Sequence, residues 1–187
     1  MKKLLLTIGF LTVTLILGAQ EYTLSNSSST CTVEGTSTLH DWTLDAEELT
    51  GKASVSLKDG KVENIDKLSF EVKVEGLKSH KSGMDKNTYK ALKSDQHSSI
   101  NYQFARVISI TDASAGQLIK TGGKLTIAGV TKSVYLDVTA KTTDGISFEG
   151  STTFKMSDYG VEPPVALMGT IKTGDEVTIK FNVKYAK

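Results

Sequence analysis

The residues best able to do chemistry in this chain are three histidines, one cysteine and a few aspartates. His40, His80 and His97 supply the imidazoles, and Asp41, Asp45 and Asp85 are the carboxylates that could pair with them. A zinc site needs three or four converging ligands. No two histidines stand at i, i+4, and the single Cys31 excludes a multi-cysteine cluster. Acid–base catalysis would need less: His40 and Asp41, turned together into a buried pocket, would form a proton-transfer pair. No Ser/His/Asp order and no paired-carboxylate motif stands out, and Gly122, Gly123 and Gly129 read as strand-end turns, not as a phosphate cradle. These observations predict no catalytic residue, no metal and no cofactor. Trp42, the only tryptophan, is read either as a ring at a cavity mouth or wall, or as a core tryptophan beside His40 and Asp41 in a hydrogen-bonded turn.

The rest of the chain must position whatever site exists. At 187 residues one domain is expected, with enough chain to bury a core without disulfides. Hydrophobic residues make up 39% and charged residues 23%, a globular composition. The formal charge of +1 argues against a nucleic-acid partner held by bulk charge. Lys2 and Lys3, the apolar run Leu4 to Leu17 and the small residues Gly18 and Ala19 form the pattern of a signal peptide over residues 1–20, with cleavage after Ala19 or Gln20. That run is short of the roughly 20 residues a membrane span needs. Removing residues 1–20 deletes two lysines and no acid, leaving 20 basic and 21 acidic residues in a mature domain over 21–187. The predicted destination is periplasmic or secreted. Cys31 is read as a buried thiol, with an intermolecular disulfide as the alternative.

Period-2 alternation dominates the mature chain, which is the mark of half-buried strands. Leu68, Phe70, Val72, Val74 and Gly76 alternate with Ser69, Glu71, Lys73 and Glu75. The same pattern runs through Ile146 to Met156 and through Val177 to Tyr185, and Ile100, Tyr102 and Phe104 form a further face. Leu125 and Ile127, then Val134, Leu136, Val138 and Ala140, predict a hairpin closed near Gly129. Other strands are expected around 22–28, 30–38 and 51–57. One stretch breaks this rhythm. Ser82 to Asp85 looks like a capping box, and Met84, Thr88 and Leu92 recur at helical spacing, so a helix of about ten residues is expected there. Eight or nine antiparallel strands with one apolar face make an all-β fold, either a sandwich or a closed barrel. Eight strands in a ring leave an interior that side chains fill or that holds one small ligand.

Four segments in order resemble the YceI-like family of exported lipid-binding proteins. They are Val33 to Trp42 with Leu39-His40-Asp41-Trp42 at its end; Ser82-Gly83-Met84-Asp85 with Tyr89 to Lys93; Gly123 to Lys132; and Tyr159 to Pro164 followed by Gly169 and Gly174 to Val177. The resemblance implies an antiparallel lipocalin-like β-barrel with one short helix and an elongated apolar cavity for a polyisoprenoid or a similar long-chain amphiphile. The histidine–aspartate–tryptophan version of the first segment is a departure, which makes the fold a safer inheritance than the ligand.

Beside that resemblance, the inward faces can be read as a solid core or as a tunnel wall. Small residues among the aromatics (Gly76, Ala140, Gly150, Thr152) favour a tunnel. The expected lining residues are Trp42, Phe70, Val72, Phe104, Ile127, Leu136, Phe148, Phe154, Met156, Leu167, Phe181 and Tyr185. Pro163 and Pro164, with Val165, Leu167 and Met168, make an apolar loop read as a lid over one barrel end or as packing for a strand crossover, with the lid preferred. Lys78, Lys81, Lys86, Lys90 and Lys93 are read as a membrane-surface docking patch or as a plain solvated helix face. The favoured function is an exported carrier of a long apolar lipid, without enzymatic activity and as a monomer or homodimer. The alternatives are a barrel enzyme of isomerase or cyclase type built on a buried His/Asp pair, a membrane-spanning barrel, and a stress-linked scavenger with no fixed ligand.

Overall fold

In a computed structural model that describes residues 19–187, the alternating segments form one antiparallel sheet of 12 strands. The apolar run expected to be a signal peptide lies outside the described residues, apart from Ala19 and Gln20. Three strand positions are each broken once. The first is β1 (Gln20–Leu24) and β2 (Thr30–Ser37), interrupted by a 3₁₀ turn at Asn26–Ser28. The second is β3 (Trp42–Ala46) and β4 (Leu49–Lys58), and the third is β5 (Lys61–Lys73) and β6 (Leu77–Lys78), split by a 3₁₀ turn at Val74–Gly76. The breaks keep their hydrogen bonds. The Asn26 amide donates to Glu47 O and accepts from Leu49 N–H, both at 2.8 Å, and Glu47 N–H donates to Gly76 O at 2.9 Å.

The remaining strands are mostly long and unbroken: β7 (Ser99–Ala113), β8 (Gly116–Ile127), β9 (Val130–Lys141), β10 (Ile146–Lys155), the short β11 (Val165–Ala166) and β12 (Ile171–Ala186). Pairing runs β1–β4–β5–β7–β8–β9–β10–β12 and returns to β1 through Leu24 and Tyr185. The ring of eight strands is therefore closed, and the two-layer sandwich is overturned. At the other end of β12, β2 takes over from β1, pairing from Asn182 to Thr173, and β3 and β6 continue around from it. Two seams of the ring are short: β5 meets β7 only over Ser69–Lys73, and β9 meets β10 only over Val138–Lys141.

The outer wall is charged. Lys120–Asp137, Lys180–Glu34 and Lys184–Asp144 are ion pairs at 3.2, 2.6 and 2.7 Å across neighbouring strands or turns. Exposed pairs of this kind add little stability, about 0–1 kcal/mol each. They do contradict the membrane-spanning alternative, whose outer wall would be an apolar band.

The β8–β9 hairpin turns on two residues, Ala128 (φ 47°) and Gly129 (φ 82°), so the second strand resumes at Val130. This is the mirror-image turn that matches strand twist. Helix α1 (Ser82–Leu92) has the expected length, but the expected capping box is absent. Lys81 is the N-cap and makes no side-chain cap bond. The Asp85 carboxylate instead accepts from the Ser79 N–H at 2.8 Å and its hydroxyl at 2.5 Å, fastening the loop that delivers the helix to the barrel.

Candidate functional site

Alternation points one side chain in two at the barrel axis, and these side chains do not fill it. An inner chamber of about 100 Å³ lies against Phe70, Phe104, Leu136, Phe148 and Phe181. An outer chamber of about 240 Å³ lies against Trp42, Ile127, Phe154, Met156 and the inward face of α1. Val33, Leu77, Ile100 and Ile179 border both, so the two chambers adjoin. The bore has a floor. Val55, Ile119, Ile146 and Tyr185 are 0% exposed, and Val62 joins them at 2%. Across this floor the buried Gln117 accepts from Val62 N–H at 2.7 Å and donates to Val62 O at 3.2 Å, tying β8 to β5. The site is a blind, apolar pocket open at the helix end.

Of the residues expected to line a cavity, Phe70, Val72, Phe104, Leu136, Phe148, Phe181 and Tyr185 border the inner chamber. Trp42, Ile127, Phe154 and Met156 border the outer one. The side chain of Leu167 lies outside the described residues. Sequence reasoning missed Val33 and Cys31 on β2 and the helix residues Met84, Thr88, Ala91 and Leu92. The helix residues had a signal: their i, i+4, i+7, i+8 spacing is one face of a helix, and that face had to cover something.

At the mouth, α1 turns that face inward and leaves Lys81, Lys86, Lys90 and Lys93 exposed. Lys78 does not belong with them. Its Nζ donates to Tyr89 Oη at 2.8 Å and sits 5.3 Å from that ring's centre, a correction to the expected five-lysine patch. Ser37, His40, Lys81, Asn87, Thr88 and Thr173 are polar groups bordering the outer chamber. Opposite, Pro164 and Val165 form wall and not lid: Thr173 N–H donates to Pro164 O at 3.1 Å, and Val165 pairs with Lys172. Leu39, Val165 and Met168 are exposed apolar side chains on the two loops around this end.

The histidines do not converge. His40 is exposed and its Nδ1 lies 2.6 Å from Asp41 O; His80 pairs with Asp45 at 3.1 Å; His97 packs on Gly129. No group of three potential metal ligands occurs among the described residues. The buried His/Asp pair required by the enzyme alternative is not formed, because His40 and Asp41 both face solvent. Trp42 is half-buried, not a core tryptophan. Its ring lines the outer chamber, and its Nε1–H donates to Thr36 O at 2.9 Å.

The few polar atoms on the inner wall are neutral and internally satisfied. Burial pushes the Cys31 thiol up to about 12, so it stays protonated at neutral pH. At 4% exposure it is also out of reach of another chain, which overturns the disulfide alternative. Thr121 donates to Leu136 O at 3.2 Å. Burial raises the Tyr102 phenol, which remains a neutral hydroxyl. Apolar walls of this kind can hold an apolar chain by excluding water.

Comparisons with known proteins agree with this geometry. A family model described as a YceI-like domain matches residues 22–185. Among solved structures, Burkholderia cenocepacia BcnA superposes with a TM-score of 0.68 at 16% identity, covering 88% of this chain and 99% of that one. A polyisoprenoid-binding domain from Saccharophagus degradans, implicated in plant cell wall breakdown, gives 0.64 at 14% identity over 88% and 97%. The Campylobacter jejuni YceI protein gives 0.58 at 16% identity over 100% and 99%. At these identities the likeness is one of fold. No match was found among curated proteins.

Proposed function

This chain belongs to the YceI-like domain family, and from that premise we propose that it is an exported, non-enzymatic carrier that holds one long apolar chain, a polyisoprenoid or a similar amphiphile, inside its barrel. The observation that carries this reading is the pair of adjoining chambers inside the barrel, with walls that are mostly apolar. Burying several hundred Å² of chain there contributes on the order of 10 kcal/mol before ordering costs. The polyisoprenoid-binding description of the Saccharophagus domain supports the same ligand class. The head group stays at the rim with Ser37, Lys81, Asn87 and Thr88, because nothing deeper could solvate a charge. Every wall residue comes from one chain, so a monomer and a homodimer would serve alike. Export rests on the pattern of residues 1–20, and because Gln20 already pairs with Val55 in β1, cleavage after Ala19 is the one that spares the strand.

Loading needs a passage that keeps the chain out of water. We assign it to contact between the mouth and an anionic membrane surface, with Lys81, Lys86, Lys90 and Lys93 facing the head groups. Each lysine near such a surface is worth about 1 kcal/mol. The test is transfer of a fluorescent polyisoprenoid between anionic vesicles. The natural chain should accelerate transfer, and replacing Lys86, Lys90 and Lys93 by glutamine should slow it at least tenfold at low salt while leaving affinity for the free lipid unchanged. Absence of any acceleration would sink the carrier; transfer indifferent to both salt and the lysines would sink the membrane contact.

A further inference from the structure

Three glycines inside strands, each two residues from one that lines a chamber, have ordinary backbone conformations. Gly35, Gly123 and Gly150 are absent from the chain's positive-φ glycines, so none is required by a turn. Glycine weakens a strand and offers no side chain to pack, and its use there marks a close approach. In each case an aromatic ring makes the approach. A Cβ on Gly35 would run into the six-membered ring of Trp42, its partner across β2 and β3. One on Gly123 would lie 2.5 Å from Tyr102 Cε2, the ring reaching diagonally from β7. One on Gly150 would lie 2.9 Å from Phe181 Cζ, its direct partner on β12, and 3.0 Å from Asp137 O.

The consequence is geometric. A large aromatic side chain on the inner face of a small barrel would ordinarily project towards the axis and fill it. Over a glycine it can lie down on the sheet, covering the exposed backbone and leaving the axis free. Trp42 does this in the outer chamber, and Tyr102 and Phe181 do it in the inner one. We infer that Gly35, Gly123 and Gly150 are specificity-determining residues that hold three rings flat against the wall and so set a bore wide enough for a chain carrying methyl branches, where an alanine would narrow it to the width of a straight chain. This inference rests on the carrier reading and names the ligand feature that the carrier selects.

The width of an isoprenoid chain comes from a methyl group on every fourth backbone carbon, whereas a straight alcohol of equal length has none. One methyl group against a well-fitted apolar wall discriminates by about tenfold or more. Adding a Cβ under a ring lifts that ring into the lumen, where branches feel it before a bare polymethylene chain does.

The experiment uses the full mature chain and a fluorescent polyene fatty acid as reporter, displaced by an all-trans C20 isoprenoid alcohol and by a straight C16 alcohol of the same main-chain length. Gly123→Ala and Gly150→Ala are each expected to lower the branched-to-straight affinity ratio by about tenfold. Tyr102→Leu added to Gly123→Ala should recover it, because the displaced ring is gone. Ratios within twofold of the natural chain would overturn the width gauge while leaving the carrier intact; displacement by neither alcohol in the natural chain would remove the carrier itself. Phe181→Leu needs no added atom, so it tests the idea even if an alanine variant does not fold. Its ratio should stay level or rise, and a fall would overturn the inference.

Discussion

Replacing Tyr185 with alanine is expected to lower the unfolding free energy by about 4 kcal/mol, the range found when a large aromatic is removed from a packed core. The ring is 0% exposed and sits where the floor of the bore meets its wall. It meets Phe148 edge-on, with centroids 6.0 Å apart, and approaches Gly51 on β4. Its hydroxyl donates to Ser69 O at 2.8 Å, linking the last strand to β5 across the barrel. Burial, reinforced by the nearby Tyr102, raises its pKa, so it acts as a neutral donor throughout the physiological range. Tyr185→Phe keeps the packing and loses only that bond, which should cost about 1 kcal/mol. Urea unfolding of the two variants separates the contributions. A loss below about 1 kcal/mol for Tyr185→Ala would mean that the floor is not the packed stopper described here.

The second large effect concerns function. Ile179 stands at the junction of the chambers, between Thr152 on β10 and Val33 on β2. Tryptophan at this position should block the passage and confine any ligand to the outer chamber. A chain denied some 100–150 Å² of apolar contact in the inner chamber loses about 3 kcal/mol, a weakening of roughly 100-fold. A chain short enough to need only the outer chamber should bind nearly as before. Calorimetric titration with isoprenoid alcohols of increasing length reads this directly. In the natural chain affinity should climb with length and then level off at the floor, whereas in Ile179→Trp it should level off earlier. Equal affinities at every length would mean that the two chambers do not act as one bore.

Much of the barrel was legible because period-2 alternation survives wherever pairing is regular. The faces of β9, β10 and β12 could be read directly, and so could the helix, where Met84, Thr88 and Leu92 break into the strand rhythm. The first half of β5 and most of β7 were not legible. Register shifts beside Val55, between Phe104 and Arg106 and between Val107 and Ser109 reverse the phase of alternation, so inward and outward residues exchange places within one strand. Ile108, 50% exposed on β7, is a product of this. The division of β1 from β2 was expected, but not that β1 ends as early as Leu24, where the Asn26 side chain stands in for backbone partners 21 and 23 residues away.

Alternation could assign residues to an inward face, but the sequence could not say whether they enclose a hollow. The same aromatics would fill the axis if they pointed inward. What keeps them flat is the placing of Gly35 against Trp42 and Gly150 against Phe181, a matter of strand register that appears only once the strands are paired. The rim was overestimated in charge for a similar reason. Lys78 counts as a free lysine in the sequence, and only the fold brings Tyr89 beneath it.

Native mass spectrometry of the protein purified from its own source, followed by extraction with organic solvent, tests the carrier most directly. The expected spectrum shows the polypeptide plus one long-chain lipid in a 1:1 complex, the lipid passing into the solvent on denaturation and its head group uncharged or held outside the bore. A bare polypeptide mass that stays bare after incubation with isoprenoid lipids of several lengths would contradict the account.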